Sequence, residues 1–141
     1  MIYSNENRGI IQNRERSRQI IDFSSIRYDN ITPTDSDGEI EYHDKAWVFI
    51  EIKYRDTGLP YGQRLAFERK INDLCKANKQ VICIVAEHYV DNPLEDIDAQ
   101  KCIVREIYYN NKWHQYKDKN VFLDDLVQRF LNYVDTLNFE R

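Results

Sequence analysis

Glu51 and Lys53 are two residues apart near the end of a mostly apolar stretch, residues 45–54. Successive side chains of a β-strand point to opposite faces, so both charges belong to one face of the strand that this stretch predicts. Burying an unpaired charge is costly, so each of them needs a partner or a role. An ion pair that serves only the fold is one explanation, and a chemical site is the other.

A second carboxylate is expected beside this pair. Residues 34–42 combine turn-forming residues with a short strand, and residues 43–45 form a plausible tight turn, so the two strands make a hairpin. Counting back from the turn puts Asp37 level with Glu51. Two carboxylate ligands suit Mg²⁺, whose remaining ligands are water and phosphate oxygens. A nearby lysine can orient or deprotonate an attacking water and stabilise charge on the phosphate.

Asp37-Gly38 followed by Glu51-Ile52-Lys53 resembles the PD-(D/E)XK nuclease superfamily, which has the restriction-endonuclease-like fold. The likeness is to small phage or prophage nucleases and to archaeal-type Holliday junction resolvases. It implies that Asp37, Glu51 and the backbone carbonyl of Ile52 hold Mg²⁺ or Mn²⁺. Lys53 then positions or deprotonates the water, so Asp37, Glu51 and Lys53 are the expected catalytic group.

The proline of the superfamily motif is displaced in this chain, because Pro33 does not directly precede the aspartate. Asp35 is therefore a rival for the same role. We prefer Asp37 because the glycine after it, Gly38, lets the backbone and a phosphate approach closely.

The resemblance extends to two helices and covers roughly residues 8–86. Gln63 opens the helix after the Glu51 strand, as a motif glutamine does in some members. It is expected to orient the water or the phosphate and is the fourth expected catalytic residue. A polar residue that makes only local hydrogen bonds is the competing interpretation. Glu15, on a first helix, corresponds to the helix-borne glutamates that complete the metal site in the resolvases.

Three arginines near these positions are candidates for binding nucleic acid: Arg14, Arg18 and Arg64. The guanidinium fork matches phosphate oxygens, so we expect contacts with the DNA backbone. A solvated helix face explains the arginine-rich first helix equally well.

The order of elements predicts an α/β fold with a small mixed sheet flanked by helices, in one domain of 141 residues. Residues 8–21 and 61–77 are predicted helices, and residues 22–29 are a predicted strand or strand-like lead-in. Residues 80–86 predict a central strand beside the Glu51 strand, joined to it by the helix as a crossover. A strand over residues 101–109, a hairpin to residues 113–116 and an amphipathic helix over residues 121–139 complete the chain.

Composition narrows the classes of function. The net charge is −4, so nucleic-acid binding must come from local patches rather than from a generally basic surface. Cys75, Cys83 and Cys102 lack zinc-site spacing and are expected to be buried reduced thiols. No signal peptide or membrane span is recognisable, which favours the cytoplasm of a bacterial or phage-infected cell.

The expected function is a Mg²⁺- or Mn²⁺-dependent DNA phosphodiesterase: an endonuclease, an exonuclease or a junction resolvase. A resolvase would act as a homodimer, because two cuts need two sites. The alternative is a catalytically silent module of the same fold that binds DNA or protein, which the net charge and the acidic residues 91–98 favour. RNA as the substrate stays open.

Overall fold

The computed structural model describes residues 15, 18, 21–31, 33 and 36–137, in two compact units that divide between residues 34 and 35. In the first unit, Glu15 has helical backbone, and the side chains of Glu15 and Arg18 are exposed. Arg14 and most of the predicted first helix lie outside the described residues, as does Asp35. None of the helices in the described part of the chain is long and apolar enough to cross a membrane.

The second unit is built on one mixed sheet whose strands follow the order of the chain. The strands are β1 (Gly38–Tyr42), β2 (Ala46–Tyr54), β3 (Gln80–His88), β4 (Ile103–Tyr109) and β5 (Lys112–Gln115). The helices are α1 (Tyr61–Lys76) and α2 (Leu123–Asp135), and short 3₁₀ turns cover Arg55–Thr57 and Ala99–Lys101. The predicted α/β class and its mixed sheet are confirmed.

Two hairpins and one crossover set the topology. His43 and Asp44 have positive φ angles between the antiparallel strands β1 and β2, and Asn110 and Asn111 do the same between β4 and β5. Short polar side chains such as Asn and Asp tolerate this left-handed conformation, which suits tight hairpin turns. Strand β3 runs parallel to β2 after the α1 crossover, as predicted.

Each face of the sheet packs against one helix. Side chains of α2, including Phe130 and Val134, pack with Val48 and Ile84 on the α2 face. Phe67 and Ile71 of α1 pack with Phe49, Val81 and Cys83 on the other side, the α1 face. Strand β3 is buried on both faces, which its uninterrupted apolar sequence requires.

The predicted strand over residues 22–29 is wrong. The backbone N–H of Ser24 donates to the Asp22 carboxylate, and residues 24–25 form a turn. Asp29 and Asn30 have positive φ angles and form a second turn, which brings Tyr28 into an isolated bridge with Ile31. Asp, Asn and Ser side chains favour such turns, and here they outweigh the apolar residues between them.

The prediction for the cysteines holds in part. Cys83 and Cys102 are buried thiols, but Cys75 is exposed, and all three are free. Cys75 lies in the last turn of α1.

Candidate functional site

Asp37 and Glu51 meet where the β1–β2 ladder ends. Gly38 pairs with Ile50, so the residue before Gly38 lies level with the residue after Ile50, as predicted. The Asp37 N–H donates to Glu51 Oε2 at 3.2 Å, and the Ile52 N–H donates to Asp37 Oδ2 at 2.7 Å. These reciprocal bonds hold the two carboxylates side by side.

Lys53 and Gln63 complete the group. Glu51 and Lys53 share the α1 face with Phe49, because they alternate along β2. Lys53 Nζ lies 3.6 Å from Glu51 Oε1 and donates to Gln63 Oε1 at 3.2 Å. The Gln63 amide nitrogen donates to Glu51 Oε1 at 2.9 Å. Gln63 reaches both charges because it lies in the first turn of α1, directly after the loop that leaves β2.

The group carries more negative than positive charge, and one of its carboxylates is buried. Glu51 is only 2% exposed, whereas Asp37 is exposed. Burial, and secondarily the charge of Asp37, raises the pKa of Glu51 above its usual value. The hydrogen bonds from Asp37 and Gln63 and the charge of Lys53 act in the opposite direction without cancelling the rise. A cation between the two carboxylates would relieve this repulsion.

The donors of the group fit a hard divalent cation. In the described residues, no set of three or more His, Cys, Asp or Glu side chains is arranged to hold a metal ion. Mg²⁺ needs only one or two carboxylates, since waters and substrate phosphates supply the other ligands. Asp37 Oδ1 accepts no hydrogen bond from any described residue, so this oxygen is available to a cation.

Arg64, predicted to bind DNA, makes an ion pair within the protein. Its two terminal nitrogens donate to the two carboxylate oxygens of Glu106, one of them at 3.2 Å. The guanidinium also lies 4.3 Å from the centre of the Trp113 ring. Glu106 is 7% exposed and accepts a further bond from Gln115 at 2.8 Å.

Glu15 and Arg18 belong to the first unit, which is described separately from this group. The assignments of Glu15 to the metal site and of Arg18 to DNA binding therefore stay predictions. The assignments of Arg14 and Asp35 also stay predictions, since both residues lie outside the described residues.

A second group of buried charges was not anticipated from the sequence. Arg105 Nε donates to Glu87 Oε2 at 2.8 Å, and the Arg105 guanidinium also contacts the Tyr89 hydroxyl. Glu87 is 7% exposed. The available signal was the same that marked Glu51: charged residues at strand positions among apolar neighbours.

Comparisons of the chain with protein-family models, with curated proteins and with solved structures gave no match. The case for a function therefore rests on the geometry and chemistry of the residues described above.

Proposed function

We propose that the chain is a Mg²⁺- or Mn²⁺-dependent phosphodiesterase that hydrolyses DNA, of the PD-(D/E)XK type with a restriction-endonuclease-like core. One observation carries the proposal: Asp37, directly before β1, comes together with Glu51 and Lys53 of β2 and Gln63 of α1 in one hydrogen-bonded group. Two carboxylates, one lysine and one amide are the side chains that metal-assisted attack of water on a phosphate needs.

Asp37, Glu51 and the carbonyl of Ile52 would hold the metal ion. When bound, such an ion lowers the pKa of a coordinated water and neutralises charge on the phosphate. Asp37 is suited to this role because one carboxylate oxygen is fixed by the Ile52 N–H while the other has no described partner. Glu51 is suited because its charge is destabilised by burial and would be stabilised by a cation.

Lys53 would position the attacking water and meet charge that develops on the phosphate. Its ammonium group carries three donors, and the described contacts are with Gln63 and Glu51. A donor held in place before the reaction stabilises the transition state without reorganisation. Gln63 fixes the ammonium through its amide oxygen and Glu51 through its amide nitrogen, so the glutamine orients both.

The direct test is cleavage of plasmid, linear and branched DNA, and of RNA, in Mg²⁺, in Mn²⁺ and in EDTA. Wild-type protein should cut in the presence of metal and not in EDTA, whereas Asp37→Asn and Glu51→Gln should not cut. Glu39→Gln is the matched control. It removes a carboxylate from the same hairpin, at an exposed position outside the group, and should cut like wild type.

The substrates that the protein binds or cuts distinguish a nuclease from a silent module, a junction resolvase from other nucleases, and DNA from RNA as the substrate. Binding of DNA without cleavage under any metal condition would contradict the enzyme and support the silent module. Preference for branched DNA would support a junction resolvase, and light scattering should then find a homodimer, since two cuts need two sites. Preference for RNA would overturn DNA as the substrate.

A further inference from the structure

A pocket of about 270 Å³ opens beside Lys53, on the α1 face of the sheet. Most of the described residues in its wall are polar or charged, and all of them belong to the second unit. Its cationic walls come from four separate segments of the chain: Lys53, Arg64, Arg105 and Lys117. Lys53 is thus common to this pocket and to the proposed catalytic group.

A β-bulge brings two consecutive residues of β4 to the pocket. Val85 pairs with Glu106 and Ala86 pairs with Val104, so Arg105 is an extra residue in β4. In a regular strand, neighbours point to opposite faces. The bulge breaks that alternation, and Arg105 and Glu106 both line the pocket.

Two buried carboxylates hold the arginines in place. Glu106 binds Arg64, and Glu87 binds Arg105, whose guanidinium also donates to the carbonyl of Lys117 at 3.3 Å. A guanidinium has five N–H donors. The bonds to described residues use two of them in Arg64 and three in Arg105, so both side chains keep donors for a ligand.

The rest of the wall supplies one more cation and two acceptors. Lys117 makes no ion pair with any carboxylate in the described part of the chain, so its charge is available. Asp56 and Gln115 also line the pocket. The amide nitrogen of Gln115 donates to Glu106, whereas its amide oxygen makes no bond to Glu106. Cationic donors suit phosphate oxygens, and the acceptors suit sugar hydroxyls or base N–H groups.

We propose that this pocket binds one nucleotide of the substrate strand, next to the phosphate that reacts at Lys53. Its volume lies just below the range of small-molecule sites, roughly 300–1,000 Å³, which suits a single nucleotide unit rather than a longer segment. That the bound nucleotide is part of the substrate rests on the proposed function. The binding itself requires neither metal nor cleavage.

The test is a chemical-shift titration by NMR, in EDTA, with thymidine 5′-monophosphate, inorganic phosphate and thymidine as separate probes. The monophosphate should bind most tightly and shift resonances of the pocket residues. Lys117→Gln should weaken its binding by at least ~10-fold, which corresponds to about 1.4 kcal/mol. Lys119→Gln is the control: it removes the same charge two residues away, from a side chain that lies over the Tyr116 ring outside the pocket.

Three results would overturn the proposal. These are no binding of the monophosphate by wild type, equal binding by wild type and Lys117→Gln, and equal affinity for inorganic phosphate and the monophosphate. Failure of this proposal and failure of the proposed function can be told apart. Metal-dependent cleavage without nucleotide binding would contradict only the role of the pocket. Nucleotide binding without cleavage would support the role of the pocket and contradict the nuclease activity.

Discussion

Two groups of charged residues on the α1 face of the sheet are built around buried glutamates, and they differ in how their charges are balanced. Glu106 and Glu87 each have one arginine, Arg64 and Arg105. Glu51 instead shares a single lysine with a second carboxylate, that of Asp37, which lies beside it. The first group is electrically neutral, and we call it the balanced group. The second group has one negative charge in excess, and we call it the unbalanced group.

This difference separates charges that the fold already compensates from charges that a metal ion would compensate. Paired charges in a low-dielectric place need no further ion, and breaking such a pair leaves a buried charge without compensation. Excess charge is a cost to the fold that a bound cation would remove. Burial raises the pKa of Glu51 first, and the charge of Asp37 adds to the rise.

Breaking the balanced group should give the largest effect. Arg64→Ala leaves the carboxylate of Glu106 buried without its cation, so we expect a loss of roughly 3–5 kcal/mol in the free energy of unfolding. Arg69→Ala, on the exposed side of the same helix, is the control and should change stability by less than about 0.5 kcal/mol. Urea unfolding measures both. A loss below about 1 kcal/mol, the scale of an exposed pair, would mean that the Arg64 pair is not structural.

Removing the cation of the unbalanced group should slow the reaction rather than unfold the protein. Lys53→Ala should still bind metal and DNA but cut at least ~100-fold more slowly, the scale for losing one preorganised donor. Lys53→Arg should not restore cutting, because a wider, always-charged guanidinium cannot accept a proton at that place. Lys76→Ala, at an exposed position of α1, is the control. A large fall in melting temperature with cleavage retained at low temperature would show that Lys53 serves the fold.

Neutralising Glu51 should stabilise the metal-free protein, by less than Arg64→Ala destabilises it. Because the pKa of Glu51 is raised, the folded protein holds a proton that the unfolded chain releases above the ordinary pKa of 4.5. The stability of the wild type therefore falls as pH rises from that value through the raised pKa, and it stays lower above it. Glu51→Gln lacks this component. In EDTA at neutral pH it should be more stable than wild type, with a smaller difference near pH 4.

Urea unfolding over a pH series measures this difference. A Glu51→Gln protein that is less stable than wild type at neutral pH would show that the carboxylate is a net structural contributor.

The smallest effect is expected from an exposed pair on the same hairpin. Glu39 lies 3.4 Å from Lys70, and both side chains are largely in solvent. Glu39→Gln should therefore cost no more than about 1 kcal/mol. A cost similar to that of Arg64→Ala would mean that burial does not distinguish the pairs, and the comparison would fail.

Local sequence patterns were enough to place the catalytic candidates. The hairpin turn and the alternation in β2 put Asp37 level with Glu51 and put Lys53 on the same face. The loop after β2 put Gln63 in the first turn of the helix. The glycine argument for Asp37 was weaker, because a Cβ at Gly38 would make only ordinary contacts with Ile50, at 3.7 Å and 3.9 Å.

The balanced group depends on features that local patterns do not encode. Arg64 and Glu106 are far apart in the chain, and their pairing follows from the sheet order and the packing of α1. No glycine or proline next to Arg105 indicates the bulge in the sequence. Without that bulge, regular alternation would put Arg105 and Glu106 on opposite faces.

The central claim is that Asp37 and Glu51 together hold a divalent cation, and calorimetric titration with Mn²⁺ tests it most directly. Wild type and Glu39→Gln should bind one ion with the same affinity, whereas Asp37→Asn and Glu51→Gln should each weaken binding by at least ~10-fold, about 1.4 kcal/mol. Asp35→Asn should behave like wild type. Undiminished binding in both Asp37→Asn and Glu51→Gln, or a loss confined to Asp35→Asn, would contradict the account.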